Sequence, residues 1–320
     1  MITKLNFAHL PTPIEPLSHL RDHLGGPGLF VKRDDQTGLA FGGNKTRKLE
    51  YLLADAQNKD AQTLITAGAV QSNHCRQTAA AANLFGLDCI LVLFGSPPEN
   101  PDGNNFLYHL LGAEMVTAER ENIPAVMEDV FVQAQADDRK PYLIPYGGSN
   151  PIGARGYVNA MHELKQQGLD PDWIVFPSSS GGTQAGMLVG AQQVGYQGKI
   201  LGISVDEKAS DLAIKIADLA TETAQSLGED MHFSHDSILV NDDYLGGGYA
   251  VMGEPEVEAI RLFARHEAQM LDPVYTGRAA AGLIDLVRQG FFKPSEKVLF
   301  WHTGGTPALF AKKYMHLLLN

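Results

Sequence analysis

Cysteine is nearly missing from this 320-residue chain: only Cys75 and Cys89 are present, with neither CxxC nor metal-ligand spacing around them. A disulfide framework and a zinc site are therefore not expected, and both thiols should be free in a reducing compartment. Positive charge is also short. Lys and Arg number 25 against 37 Asp and Glu, a formal net charge of −12, which argues against binding nucleic acid through its phosphates, since that needs a basic surface. Long apolar runs are missing too; the stretch Ile90-Leu91-Val92-Leu93-Phe94 is far too short to span a bilayer, so no membrane role is expected. Residues 1–20 carry Pro11, Pro13 and Pro16 and no continuous apolar core, unlike a signal peptide. Repeats, low-complexity tracts and charge blocks are absent as well. The expectation is a soluble cytoplasmic chain whose 44% hydrophobic residues can bury a substantial core, most simply as two domains.

What is present is alternation. Short apolar runs at 29–32, 63–66, 89–94, 114–117, 142–145, 173–176, 199–205 and 298–301 read as strands. Helical periodicity lies between them, at 45–56, 76–84, 106–111, 125–136, 154–161, 184–194, 212–227, 256–270 and 279–289, with a last helix from Pro307. This α/β pattern predicts two open, twisted domains with mainly parallel sheets covered by helices on both faces. Residues 147–153, with Gly and Pro, suit a domain crossover. In such folds ligands bind beyond the carboxyl ends of strands, so chemistry belongs in the loops that follow them.

The loop after the first strand leads into Gly42-Gly43-Asn44-Lys45-Thr46-Arg47-Lys48-Leu49-Glu50. Leu49, Leu52, Leu53 and Ala56 share one helix face, and Asn44 is a good N-cap just before Lys45. Lys45 then sits in the first helical turn, where the dipole and unpaired N–H groups disfavour an ammonium and lower its pKa. A lysine more easily deprotonated is one that can form a Schiff base. The plain alternative is a solvated surface lysine. A P-loop is excluded, because Asn44 stands where that motif needs Gly. Lys45, Arg47 and Lys48 also make a local basic spot suited to a small anion.

Three further loops follow strands. Gln71-Ser72-Asn73-His74 precedes a helix; Ser72 or Asn73 can cap it, and its hydroxyl, amide and N–H groups can also hold a carboxylate. A His74–Cys75 nucleophile pair is disfavoured, because adjacent residues at a helix start point apart. Ser178-Ser179-Ser180-Gly181-Gly182-Thr183 is an anion cradle, most naturally for a phosphate. A dinucleotide fingerprint, with Asp206 as the ribose acid, fails because its spacing puts Ser180 where Gly is required. In His302-Thr303-Gly304-Gly305, Thr303 is either an ordinary turn hydroxyl or a neutral partner for a ligand's heteroatom. A Schiff-base lysine, a phosphate cradle and a carboxylate site together are what pyridoxal phosphate acting on an amino acid requires.

Residues 42–50, 71–74, Asp272-Pro273-Val274-Tyr275-Thr276-Gly277 and 302–305 together resemble the D-cysteine desulfhydrase and 1-aminocyclopropane-1-carboxylate (ACC) deaminase family, over residues 10–318. That family has the tryptophan synthase β-like fold. The resemblance implies that Lys45 carries pyridoxal phosphate and moves the α-proton. It places Asn73 at the cofactor's 3-hydroxyl, Ser180, Gly181, Gly182 and Thr183 around its phosphate, and Thr303 at the pyridine nitrogen. Ser72, Asn73 and His74 then face a small amino-acid substrate, with Tyr275 across the ring and Ser72 and Tyr275 joining Lys45 as catalytic residues. It further implies a homodimer, with residues 1–45 and 158–320 as the larger cofactor-binding domain and 46–157 as a smaller inserted one.

Within the family, ACC deaminases typically have Glu after the tyrosine and an apolar residue before the last Gly-Gly; Thr276 and Thr303 stand here. A neutral Thr303 suits removal of an α-proton and loss of a good β-leaving group. His74, Asp242-Asp243-Tyr244 and Gly248-Tyr249 also look like the desulfhydrase pattern, while Arg278 departs from the commoner lysine. The expected reaction is α,β-elimination of D-cysteine to pyruvate, hydrogen sulfide and ammonia. The alternatives are ACC deamination and elimination from L-cysteate or 3-chloroalanine. A protein that holds the cofactor without turnover is disfavoured, since it has no need of Lys45, Ser72, Tyr275 and Thr303 together.

Overall fold

A computed structural model describes residues 3–319; residues 1–2 and 320, the ends of the two expected outer segments, lie outside the described residues. In chain order, β1 (Ile14–Pro16), α1 (Ser18–Leu24) and β2 (Gly28–Lys32) precede α2 (Asn44–Asn58). Then come β3 (Thr63–Ala69), α3 (Asn73–Leu84), β4 (Asp88–Phe94), α4 (Gly103–Leu110), β5 (Glu114–Thr117), α5 (Ile123–Ala136) and β6 (Pro141–Leu143). The remainder runs α6 (Pro151–Gln166), β7 (Trp173–Ser178), α7 (Gly182–Val194), β8 (Lys199–Ser204), α8 (Ala209–Ser226) and β9 (Leu239–Asn241). It ends with α9 (Glu254–Glu267), α10 (Thr276–Arg288), β10 (Lys297–Trp301) and α11 (Lys312–Leu319).

The strands form two sheets. One has the order β5-β4-β3-β6 and is parallel throughout. The other has the order β1-β2-β10-β7-β8-β9 and is parallel except where β1 runs against β2. Sheets buried on both faces need strands that are apolar on both, and β7 shows it. Its Trp173 and Val175 pack with Leu283 and Val287 of α10, while Ile174 and Phe176 pack on the other face with Tyr157 and Met161 of α6. In each sheet one strand has later strands on both sides: β3 lies between β4 and β6, and β7 between β10 and β8. A crevice opens at the carboxyl end of such a switch point, which brings the loops after β3, β7 and β10 to one place.

The helix bearing Lys45 is held from two sides. The expected apolar face of Leu49, Leu52, Leu53 and Ala56 is fully buried against Leu64 of β3 and Ala79 of α3. On the other side Arg47 donates to Asp34 at 2.8 and 2.9 Å and to Glu163 at 2.8 and 2.9 Å, and Lys32 donates to Glu163 as well. The expected basic spot is thereby corrected: Arg47 is consumed by two acids and is not free for an anion.

Several boundaries also differ from expectation. Asn44 is the first helical residue rather than the cap; Gly43 occupies the cap at φ +125°. Strands β1 and β9, three residues each, and helix α1 carry too little periodicity to be read. From Pro307 runs only a 3-10 turn, Thr306–Phe310; Ala311 is extended, and α11 begins at Lys312. Helix α9 stops at Glu267, because Ala268 is left-handed. Among the described residues no helix is long and apolar enough to cross a membrane.

Candidate active site

One cavity is lined by Asn44, Lys45, Ser72, Asn73, His74, Tyr146, Gly147, Pro177, Ser178, Ser179, Ser180, Gly181, Thr183, Tyr275, Thr303 and Gly304. Of the ten residues expected at the site, all but Gly182 line it, and Gly182 begins α7 directly behind Gly181. No Asp or Glu is among these lining residues.

Lys45 enters from the second position of α2. The turn before it is tight: a Cβ on Gly43 would stand 3.1 Å from the carbonyl oxygen of Thr303, to which Asn44 donates its N–H at 3.0 Å. The loops after β2 and β10 are thus joined directly behind the lysine. Burial lowers the Lys45 amine from 10.5 to about 8, with hydrogen bonding to Lys48 acting the other way. The helix terminus invoked from sequence is present, but loss of solvent dominates. Lys48 lies one turn on; its Nζ donates to Gly147 O and to Ser149 Oγ, each at 3.2 Å. Burial and the neighbouring Lys45 hold it well below the ordinary lysine value. Sequence reasoning did not place Lys48 on its own; its i, i+3 spacing from Lys45 was the available signal.

The anion cradle is assembled across the molecule. Gly181 caps α7 in the left-handed conformation, φ +78°, with no side-chain cap, so that the N–H groups of Thr183 and Gln184 have no partner among the described residues. Ser180 Oγ and Ser149 Oγ lie 2.8 Å apart, Gly182 N donates to Ser149 Oγ, and Asn44 Nδ2 donates to Thr183 Oγ1 at 3.2 Å. Gly147 leaves the room: a Cβ there would fall 2.4 Å from Ser180 Oγ and 3.5 Å from Lys45 Nζ.

At the start of α3, Ser72 is the N-cap, accepting from Cys75 N at 3.2 Å, and its hydroxyl hydrogen has no oxygen or nitrogen partner among the described residues. Asn73 Oδ1 accepts from Arg76 at 2.7 Å and from Asn104 at 2.9 Å, which fixes the amide orientation, and its Nδ2 has no partner among the described residues. His74 Nε2 lies 2.9 Å from Thr66 Oγ1, whose hydrogen goes to Ile144 O. Nε2 is therefore the donor, and Nδ1, without a partner among the described residues, carries the lone pair. Burial, then Lys45 and Lys48, hold this imidazole neutral. Cys75 is no nucleophile; it sits in the core with its thiol pushed up to about 12 by burial.

On the far side the hydroxyls of Tyr275 and Tyr249 lie 2.6 Å apart, and burial keeps both phenols protonated. Thr303 Oγ1 has no hydrogen-bond partner among the described residues. Thr276 does not line the cavity; it is tied to Asp272, whose carboxylate also accepts from Val274 N and Tyr275 N. That acid is thereby committed to the start of α10. A buried amine of lowered pKa, an open helix N-terminus with hydroxyls, a free amide donor and a free neutral hydroxyl fit the aldehyde, phosphate, ring oxygen and ring nitrogen of pyridoxal phosphate.

Residues 5–304 match the family described as "Pyridoxal-phosphate dependent enzyme". The chain is 43% identical over 317 residues to a D-cysteine desulfhydrase of Klebsiella pneumoniae subsp. pneumoniae, covering 96% of this chain and 95% of that one. A solved structure described as an ACC deaminase homologue superposes with a TM-score of 0.91 at 38% identity, covering 99% of this chain and 95% of the other. The processed form of threonine deaminase isoform 2 from Solanum lycopersicum shares the fold, with a TM-score of 0.68 at 17% identity over 96% of this chain and 82% of that one.

Proposed function

This chain belongs to the family of pyridoxal-phosphate dependent enzymes, and on that premise we propose that it is a carbon–sulfur lyase converting D-cysteine and water to pyruvate, hydrogen sulfide and ammonia. The observation that carries the reading is a buried amine with its pKa near 8 in a cavity whose lining residues include no carboxylate. Bound pyridoxal phosphate supplies an aldehyde for that amine and a conjugated ring that accepts the electron pair left at a substrate's α-carbon.

The protein's own groups do the rest. Lys45 Nζ would hold the cofactor's aldehyde carbon, and as a free amine it would be the base that takes the substrate's α-proton. Ser180, Gly181, Gly182 and Thr183 would hold the phosphate, Asn73 Nδ2 the ring oxygen and Thr303 Oγ1 the ring nitrogen. The Thr303 hydroxyl would donate or accept a hydrogen bond at that nitrogen without protonating it as an acid would. That suffices where an α-proton can be removed and a thiol expelled. The Ser72 hydroxyl and the Asn73 amide would receive the substrate carboxylate, and the neutral His74, whose Nδ1 carries a lone pair, would face the substrate beside them. Tyr275 closes the opposite side, its proton shared with Tyr249. The C–S bond breaks, the sulfur leaves as hydrogen sulfide, and the enamine product takes up water to give pyruvate and ammonia.

Sulfide release from D-cysteine by the cofactor-loaded protein, with ACC run in parallel, tests this. Sulfide with equimolar pyruvate is expected. Production of 2-oxobutanoate from ACC without sulfide would replace the reading with ACC deamination, which the 0.91 TM-score to an ACC deaminase homologue keeps as the second candidate.

We also read residues 46–157 as the smaller domain inserted between 1–45 and 158–320. The four-stranded sheet, which takes all its strands from that interval, supports this. A cytoplasmic homodimer is the proposed working form, and light scattering after size exclusion measures the assembly.

A further inference from the structure

Arg47, Arg76 and Arg278 are all essentially fully buried. Arg47 is paired with Asp34 and Glu163, and Arg278 with Glu256. Arg76 has no carboxylate within 4.0 Å among the described residues. Its Nη1 donates to Asn73 Oδ1 at 2.7 Å and to Asn104 Oδ1 at 2.6 Å, its Nη2 donates to Gly42 O at 2.9 Å, and its Nε has no partner. Burial lowers the Arg76 guanidinium, with Asp272 acting the other way at longer range; a buried cation whose hydrogen bonds all go to neutral oxygens is costly, and an anion in the adjoining cavity would offset that cost.

The geometry relays that charge to the cavity. Asn73 Oδ1 is gripped by Arg76 and Asn104, so the amide turns its remaining donor, Nδ2, away from them. Hydrogen bonding to the oxygen of an amide draws electron density from its nitrogen and makes each N–H a stronger donor, and hydrogen-bond chains polarise in this way. The same guanidinium grips Gly42 O, three residues before Lys45, and so sets the spacing between the lysine loop and the start of α3.

We infer that Arg76 is a positioning residue for the cofactor's ring oxygen, orienting Asn73 and strengthening its Nδ2 as the donor that holds that oxygen as an anion. This rests on the assignment of Asn73 to the ring oxygen made under the proposed function.

The test titrates apoprotein with pyridoxal phosphate and with 3-deoxypyridoxal 5'-phosphate, which lacks that oxygen. Wild type should prefer pyridoxal phosphate by about tenfold or more, the range of a hydrogen bond to a charged group. Arg76→Met should lose most of that preference, through weaker binding of pyridoxal phosphate with the analogue unchanged. Asn104→Ala should lose a few-fold, and Arg76→Lys, which keeps the charge without the fork, should fall between Arg76→Met and wild type. A merely structural role would weaken both ligands equally and leave the ratio intact, which overturns the inference. If circular dichroism shows that Arg76→Met does not fold, Asn104→Ala decides, and an unchanged ratio there refutes the idea. Asn73→Ala separates the two levels. If it keeps the wild-type preference, Asn73 is not at the ring oxygen and both fail; if it loses the preference while Arg76→Met and Asn104→Ala retain theirs, only the role of Arg76 fails.

Discussion

Replacing Asp34 by Asn tests how the helix that carries Lys45 is anchored. Asp34 is fully buried and accepts from Arg47 Nε and Nη2 at 2.9 and 2.8 Å, from Tyr157 at 2.6 Å and from Thr12 at 2.9 Å. Asn preserves the shape but turns an NH2 group toward donors and leaves the buried Arg47 with Glu163 alone. Removing one partner of a buried ion pair costs about 3–5 kcal/mol, and since Glu163 remains, the lower end is expected, about 3 kcal/mol. At the entropy of unfolding typical per residue, this lowers the melting temperature of a chain this long by about 4 °C. Acid supplies an independent reading. Burial alone would raise the Asp34 carboxyl, but Arg47, Lys32 and Tyr157 bring it from 3.8 down to about 2. A carboxyl depressed on folding stabilises above its unfolded value and loses that contribution, about 2.5 kcal/mol here, as pH falls from about 4 to 2. Urea titrations and calorimetry between pH 7 and 2 should show Asp34→Asn less stable at neutral pH and with a shallower acid decline than wild type. A melting point within about 1 °C of wild type together with an unchanged acid limb would refute the anchoring role.

Three other outcomes follow from the site. Because burial brings the Lys45 amine to about 8, its neutral fraction grows through that pH. Capture of pyridoxal phosphate by the apoprotein should accelerate with a midpoint near pH 8 and vanish in Lys45→Ala; a midpoint above 10 would mean a solvated amine. Ser72→Ala removes the cap on Cys75 N and should cost about 1 kcal/mol in urea unfolding while keeping the cofactor and lowering turnover. Unchanged kinetics would confine Ser72 to capping. Gly181→Ala places a Cβ at φ +78° and 3.2 Å from Ile216 Cγ1, costing about 1 kcal/mol or more. Its affinity for pyridoxal phosphate should fall several-fold, and equal affinity would remove this loop from phosphate binding.

The fold was legible because buried parallel strands are apolar on both faces and alternate with amphipathic helices, as β7 and α2 show. Strands β1 and β9 were not, because three residues hold no periodicity; the equally short β6 was legible only because Ile144 extends its apolar run. The lining residues were legible because Gly, Ser, Thr and Asn gather where strands give way to helices, a local matter of turn conformation and capping. Asn44 was misplaced by one position because its amide, instead of capping α2, reaches Thr183 in α7.

That Lys45, the hydroxyl-rich loops and Thr303 follow strands of an α/β chain can be read from residue order alone, since periodicity and turn chemistry are local. That order could not determine which charges are free. Lys45 and Arg47 stand two residues apart on one helix, and so point to nearly opposite sides of it; one faces the cavity and the other faces Asp34 and Glu163. That emerges only when the chain folds, along with the lack of any carboxylate within 4.0 Å of Arg76 among the described residues, because desolvation and pairing depend on groups that the chain brings together from distant positions.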